Sequence, residues 1–280
     1  MKAKVTPIKT QGKKTKIVPA IYEEFVKIKE GVSLYIEPFI GSGAVGFNIA
    51  GNNAIFSDSN PHLINFYNSI KDGTLNSEEM RHYLEFEGES LKKLGDLHYK
   101  FIRNRYNEDK SPYDFLFINR SCFNGLMRFN KSGKFNVPFC HKPERFSKGY
   151  ITKVVNELKW VESKIKENNW VFVQSDFRDV IAIGMTNDSS FIYLDPPYIM
   201  RNSSYYNTWT EDDELDLFNL MNSFKGKFIM SNWIGNEYRK NPYFEKYWSS
   251  FDHKEFNQVY QVGASEENRK EMTESIIFRI

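Results

Sequence analysis

Short apolar runs separated by helix-like stretches restrict the fold of this chain more than any other feature. The runs are Leu34 to Glu37 (LYIE), Ala54 to Asp58 (AIFSD), Trp170 to Val173 (WVFV), Phe191 to Leu194 (FIYL), Lys227 to Met230 (KFIM) and Ser275 to Ile280 (SIIFRI). They lack two-residue alternation and are rich in β-branched and aromatic residues, so they read as buried strands. Helical patterns lie between them, at 61–71, 151–167 and 212–224. Strands alternating with helices predict an α/β fold with a mainly parallel sheet. The gap from about Lys71 to about Lys148 is too long for one crossover. It predicts an inserted subdomain at 71–148, helical at first and then hairpin-like, in a domain made of 1–70 and 149–280.

With 280 residues, 40% of them apolar, the chain can bury such a core. Aromatic residues reach 16%; most must be core, but some rings are available to stack on bases. Cys122 and Cys140 are too far apart for a CxxC metal pair and too few for a disulfide scaffold. That predicts a reduced, cytoplasmic protein with no metal site. The opening residues MKAKVTPIKTQGKKTK hold no apolar signal core. No apolar run reaches the roughly 18 residues that a membrane span needs.

The net charge of +2 is uninformative, but its distribution is not. Lys2, Lys4, Lys9, Lys13, Lys14 and Lys16 open the chain with no acid among them, and from Arg120 to Lys148 seven basic residues face one acid, Glu144. Clustered positive charge in a near-neutral chain points to a localised polyanion site, although a solvated basic face would look the same.

The first run ends in EPFIGSGAVG (37–46), where Gly41, Gly43 and Gly46 form G-x-G-x-x-G. Such a turn after a strand, opening a helix, favours a nucleotide-like ligand at the sheet edge. Asp58, at the end of the second run, can accept hydrogen bonds from ribose hydroxyls. A nicotinamide dehydrogenase and an enzyme using S-adenosylmethionine both fit. Glu37 beside the turn suits a sulfonium with an α-ammonium group better than a pyrophosphate.

The FIYL run leads straight into Asp195-Pro196-Pro197-Tyr198. Two fixed φ angles make a stiff tip at the edge where open α/β sheets bind ligands. The exocyclic amine of adenine is a poor nucleophile because its lone pair is delocalised into the ring. Asp195 and the Pro196 carbonyl can accept its two N–H bonds, aim the lone pair and stabilise developing positive charge. Tyr198 can stack on a base that has been flipped out of the duplex. No cysteine nucleophile is needed, so Cys122 and Cys140 read as small buried hydrophobes. Taken alone, DPPY could be a rigid turn; paired with the glycine turn it reads as an active site.

With these motifs, the chain resembles the Dam/DpnII-type site-specific DNA adenine methyltransferases over most of its length. The resemblance implies a Rossmann-like methyltransferase fold with a mainly parallel seven-stranded sheet and an inserted helical and hairpin DNA-recognition subdomain. It implies S-adenosyl-L-methionine as cofactor, with Phe39, Gly41 and Gly43 in the cofactor turn beside Glu37 and Asp58, and with Asp195 also contacting it. Residues 9–14, KTQGKK, align with the family's K-W-x-G-G-K. Lys9 then lies near DNA and Lys14 near the cofactor, while Thr10 and Lys13 replace the family's tryptophan and a glycine. Asp176 in QSDF matches the acidic contact to the cofactor's adenine. Residues 120–139, RSCFNGLMRFNKSGKFNVPF, match the DNA-binding hairpin. There Phe123 matches a ring that wedges near the flipped base. Leu126, Arg128 and Pro138 match base-edge contacts, and Asn124, Asn130 and Asn136 polar contacts to DNA; arginine suits guanine and apolar groups suit the thymine methyl. A purely structural hairpin is the plainer alternative.

Tyr205 and Tyr206, in RNSSYYNTW, read either as a loop that orders over the target base or as ordinary surface tyrosines. The implied partner is double-stranded DNA, in a bacterial or phage restriction–modification or epigenetic setting. A GATC-like site, a separately acting cognate endonuclease and a monomer or loose dimer go with it. Methylation of RNA or of protein glutamine, and a catalytically inactive DNA-binding partner, are the other readings.

Overall fold

The computed structural model describes residues 1–12, 14–199, 209–259 and 271–280. One seven-stranded sheet organises them, in the order β3-β2-β1-β4-β5-β7-β6. Its strands are β1 (Leu34–Glu37), β2 (Asn53–Asp58), β3 (Asn169–Gln174), β4 (Ser190–Leu194), β5 (Lys227–Gly235), β6 (Asp252–Val259) and β7 (Glu271–Arg279). The first five run parallel, and β7 is antiparallel to both β5 and β6. All six expected runs are strands. The unexpected one, β6, is polar (DHKEFNQV) and pairs only with β7 at the sheet edge, where it needs no continuous apolar run.

Described helices are α1 (Val18–Phe25), α2 (Gly46–Ile49), α3 (Pro61–Lys71), α4 (Ser77–Leu94), α5 (Asp96–Asp109), α6 (Pro112–Ser121), α7 (Lys148–Glu167), α8 (Phe177–Met185) and α9 (Glu211–Ser223). None is long and apolar enough to cross a membrane. Local signals set their ends. Asn60 caps α3 by accepting the His62 N–H, with Pro61 in the first turn, and Thr210 and Asp213 form a reciprocal capping box on α9.

The central strands are unpatterned because both sheet faces are covered. Along β1 and β4, Tyr35, Phe191 and Tyr193 face one apolar cluster, while Ile36, Ile192 and Leu194 face the other. The first cluster joins Phe56, Trp170 and Phe172 of the sheet to Leu84, Leu91, Tyr99, Phe115, Phe117 and Phe139 of the inserted stretch. The insertion therefore shares a core with this face of the sheet. Strand order reverses between β1 and β4, and the crevice this opens at their carboxyl ends is where open α/β sheets bind ligands.

The N-terminal segment is fastened across the insertion. Asn119 accepts the Lys9 N–H and donates to the Lys9 carbonyl, at 2.9 Å each way. Buried Arg120 donates to the carbonyls of Pro7 and Thr6 and pairs with Glu157 of α7. Arg120→Ala would leave Glu157 as an uncompensated buried charge, and is expected to cost about 3–5 kcal/mol in urea denaturation. Replacing both partners by apolar residues is expected to recover most of that loss.

Candidate active site

The glycine turn is held by its own backbone. Ile40 donates to the Ser57 carbonyl, and Gly41 N–H donates to Asp58 Oδ2 at 3.0 Å. Asn60 N–H donates to Asp58 Oδ1 at 2.9 Å. Gly43 sits at φ +67°, and a Cβ there would stand 2.1 Å from the Phe47 ring. A Cβ on Gly46 would meet Glu37 Oε2 and the Phe56 ring at 2.3 Å each. The turn thus lies directly over Glu37, which is 2% exposed. The helix it opens, α2, is a single turn. A buried acid that only a cation would help to ionise, and no extended helix dipole, disfavour a pyrophosphate and favour a cation, against the dehydrogenase reading.

Glu37 accepts the Tyr35 hydroxyl at 3.0 Å and the Gly46 N–H. Burial nevertheless holds its carboxyl well above the usual range, and the charges of Asp195 and Asp58 push the same way. Asp58 is itself pushed up to about 6 by burial.

At the neighbouring strand end, fully buried β4 delivers Asp195, whose side chain is 25% exposed. Lys14, at 5% exposure, reaches into the crevice from the N-terminal segment. Its Nζ donates to Tyr198 Oη at 2.7 Å and stands 3.4 Å from Asp195 Oδ1 and 3.5 Å from Glu274 Oε2. Asp195 is pushed up to about 6: burial raises it, Lys14 pulls it down and Glu274 raises it again. Tyr198 packs with Trp233 and Met272 and is 7% exposed. A base can stack on its ring only if covering groups withdraw. Pro196, Pro197, Tyr198, Trp233 and Tyr243 line a shallow recess beside the tip.

The other expected cofactor residues fall in different surroundings. The rings of Phe39, Phe177 and Trp209 meet with centroids 5.1–5.6 Å apart, an aromatic cluster after β1 and β3. Asp176 caps α8 and pairs with Arg178, which also binds Asp213 and Asp216 of α9, so its carboxylate is already engaged. Thr10 is half-buried in the segment between Lys9 and Lys14. The donor set suits an adenosyl sulfonium: a buried carboxylate, a second carboxylate with unused lone pairs, and flat rings beside an acid.

Residues 121–140 form an irregular antiparallel hairpin. Phe123 N–H donates to the Pro138 carbonyl, Asn136 N–H to Arg128 and Asn130 N–H to Lys134. Inward and outward residues alternate: Met127, Phe135, Val137 and Phe139 are buried, while Arg128, Asn130, Lys134 and Pro138 are exposed. Phe123 is 48% exposed. Asn124, also exposed, has a left-handed φ of 52°, and Leu126 is half-buried. The asparagines hold the hairpin together. Asn130 Oδ1 accepts the Ser132 and Lys134 N–H groups at the tip, and half-buried Asn136 binds Arg128 through side chain (2.8 Å) and carbonyl (3.1 Å). The Lys9 side chain crosses Gly125 so closely that a Cβ there would meet it at 2.7 Å. One short segment thus places Lys9 against the hairpin and Lys14 against Asp195.

Sequence reasoning missed Glu274, Trp233, Phe177, Trp209 and Arg178. Glu274 alone left a signal, an acid inside the apolar run MTESIIF. Tyr205 and Tyr206 lie outside the described residues. Cys122 is buried and its thiol is pushed up to about 12 by that burial, which suits a packing role. No cluster of metal-ligating side chains occurs among the described residues.

A sheet in this order, with a stiff acidic tip and a glycine turn at its switch point, defines a Rossmann-like methyltransferase. The chain belongs to the D12 class N6 adenine-specific DNA methyltransferases, whose family model matches residues 11–262. It is 30% identical over 290 residues to the Type II methyltransferase M.MjaIII of Methanocaldococcus jannaschii, covering 94% of each chain. It is 29% identical over 281 residues to the Type II methyltransferase M1.LlaDCHI of Lactococcus lactis subsp. cremoris, covering 96% of this chain and 93% of the relative. Against a DNA adenine methylase of Serratia marcescens, identity is 34% over 167 residues, 58% of this chain and 57% of that one.

Because Glu37 titrates above its unfolded value of about 4.3, folding gains from its protonated form. That gain is complete below the unfolded value and is lost as pH rises through the folded one. Glu37→Gln is therefore expected to melt at a higher temperature than wild type at pH 8, and the difference to close by pH 4. Equal melting at both pH values would contradict the buried-acid assignment.

Proposed function

We propose that this chain methylates the exocyclic amine of an adenine flipped out of duplex DNA, with S-adenosylmethionine as donor. The observation that carries this is the meeting of Glu37 and Asp195 at the ends of paired strands β1 and β4, near enough for the charge of Asp195 to raise the proton affinity of Glu37. When bound, the cofactor supplies an electrophilic methyl group on a sulfonium. In this reading Glu37 pairs with its α-ammonium group, Asp58 accepts from its ribose hydroxyls, and the Gly41 and Gly43 turn lets it approach the backbone. Phe39, Asp176 and Thr10 border its adenine.

Asp195 and the Pro196 carbonyl accept the two N–H bonds of the target amine and point its lone pair at the methyl group. A donor held by Glu37 and Asp58 would yield its methyl group from sulfur to that nitrogen, leaving as the neutral thioether. Asp195 is placed to receive the proton that the methylated nitrogen sheds. Tyr198 stacks on the extruded base, offsetting part of the few kcal/mol that flipping costs. Asp195→Ala is expected to abolish transfer of tritiated methyl to duplex DNA while leaving the fold intact. Full activity in that variant would refute the mechanism.

The stretch 71–148 serves as the target-recognition insert, on a catalytic domain of 1–70 and 149–280. Lys9, Phe123, Asn124, Leu126, Arg128, Asn130, Asn136 and Pro138 form its DNA-facing set. A GATC-like target, action as a monomer or loose dimer, and a separately acting endonuclease complete the reading. Exposed Arg128 and Lys134 support a nucleic acid over a protein side chain, and the family match supports duplex DNA over RNA. Arg128→Ala is expected to relax specificity and cost about 1–3 kcal/mol of specific binding. Lys134→Ala is expected to weaken binding to all sequences and flatten the dependence of log K on log salt by about one unit. Competition binding at several salt concentrations distinguishes the two.

A further inference from the structure

Asp195 must present lone pairs to an amine, yet a buried ammonium lies 3.4 Å from it. Left to one partner, Lys14 would settle on Asp195 and occupy the oxygens the substrate needs. A second carboxylate prevents this. Glu274 is fully buried near the middle of β7, in register with Trp233 of β5 on one side and Phe256 of β6 on the other. Its Oε2 is in ion-pair range of Lys14 Nζ at 3.5 Å, and the ammonium donates to the Tyr198 hydroxyl at 2.7 Å. The ammonium is thus shared among three oxygens on β7 and the β4 tip.

Resting on the functional reading above, we propose that Glu274 is a positioning residue for methyl transfer: it anchors the Lys14 ammonium so that Lys14 orders Tyr198 and Asp195 without capturing Asp195. With one cation between two carboxylates, the described cluster carries a net negative charge. That favours a transition state in which the target nitrogen becomes positive. Buried in low dielectric, such a charge acts strongly. The other titratable groups whose charge bears on it are Tyr193 of β4 and, through Asp195, Glu37 of β1.

Single-turnover methyl transfer measured against pH, with saturating DNA and cofactor, tests this. In wild type the rate should fall on the acid side near pH 6, where Asp195 protonates. Glu274→Gln removes an anion that raises Asp195, so its acid limb should move to lower pH. Its plateau rate should drop by about tenfold or more, since each tenfold needs about 1.4 kcal/mol of lost stabilisation, with the KM for both substrates little changed. Glu274→Asp should restore part of the rate. An unmoved limb and unchanged plateau in Glu274→Gln would overturn the proposal.

Should Glu274→Gln not fold, Lys14→Met is compared with Lys14→Met/Glu274→Gln, which removes cation and anion together. Equal rates in the two support action through Lys14; a further loss in the double variant overturns it. Asp195→Ala is run alongside. Activity in that control sinks the functional reading itself, whereas its inactivity with an unmoved Glu274→Gln profile sinks only the role of Glu274.

Discussion

One buried ammonium connects the parts of this enzyme. Lys14 comes from the N-terminal segment, yet its partners stand on β4 and β7, at sequence distances of roughly 180 and 260 residues. A lysine so enclosed is tolerable only because burial, which would strip its proton, is outweighed by Asp195, Tyr198 and Glu274. Its location therefore depends on the sheet being fully assembled. In turn it fixes where the N-terminal segment runs, and so where Lys9 meets the hairpin. The Asp195–Tyr198 tip and the 121–140 hairpin are thus registered to each other by Lys14 and Lys9 of one short segment.

The crevice is costly to the fold. Glu37, Asp58 and Asp195 all titrate above their ordinary values, each because burial removes water from a carboxylate. At neutral pH these groups oppose folding, and the apolar clusters on both sheet faces must offset them. Concentrated, partly frustrated acids at a strand-order reversal are what a cationic ligand would relieve.

Much of this was legible in the chain. FIYL and LYIE read as strands because both faces of the sheet are covered, which removes alternation and leaves a plain apolar run. DPPY and EPFIGSGAVG read as a site because proline and glycine restrict or release backbone in ways that few other purposes need. β6 was not legible, since an edge strand tolerates DHKEFNQV. Neither was Glu274 as a partner of Lys14: an ion pair closed over some 260 residues leaves no local spacing to detect. Asp176 illustrates the opposite failure. Its position at a strand end was readable, but its engagement by Arg178 depends on where α9 packs.

The two-residue rhythm of the hairpin separates two kinds of information. Met127, Phe135, Val137 and Phe139 anchor it from beneath, so its outer side chains can be exchanged with little penalty to folding. Arg128, Asn136 and Asn130 are the exceptions: the first two hold each other in place, and Asn130 accepts the Ser132 and Lys134 N–H groups at the tip. Under the proposed DNA-facing role, a change of preferred target would have to revise Arg128 and Asn136 jointly, while Phe123, Lys134 and Pro138 could drift one at a time.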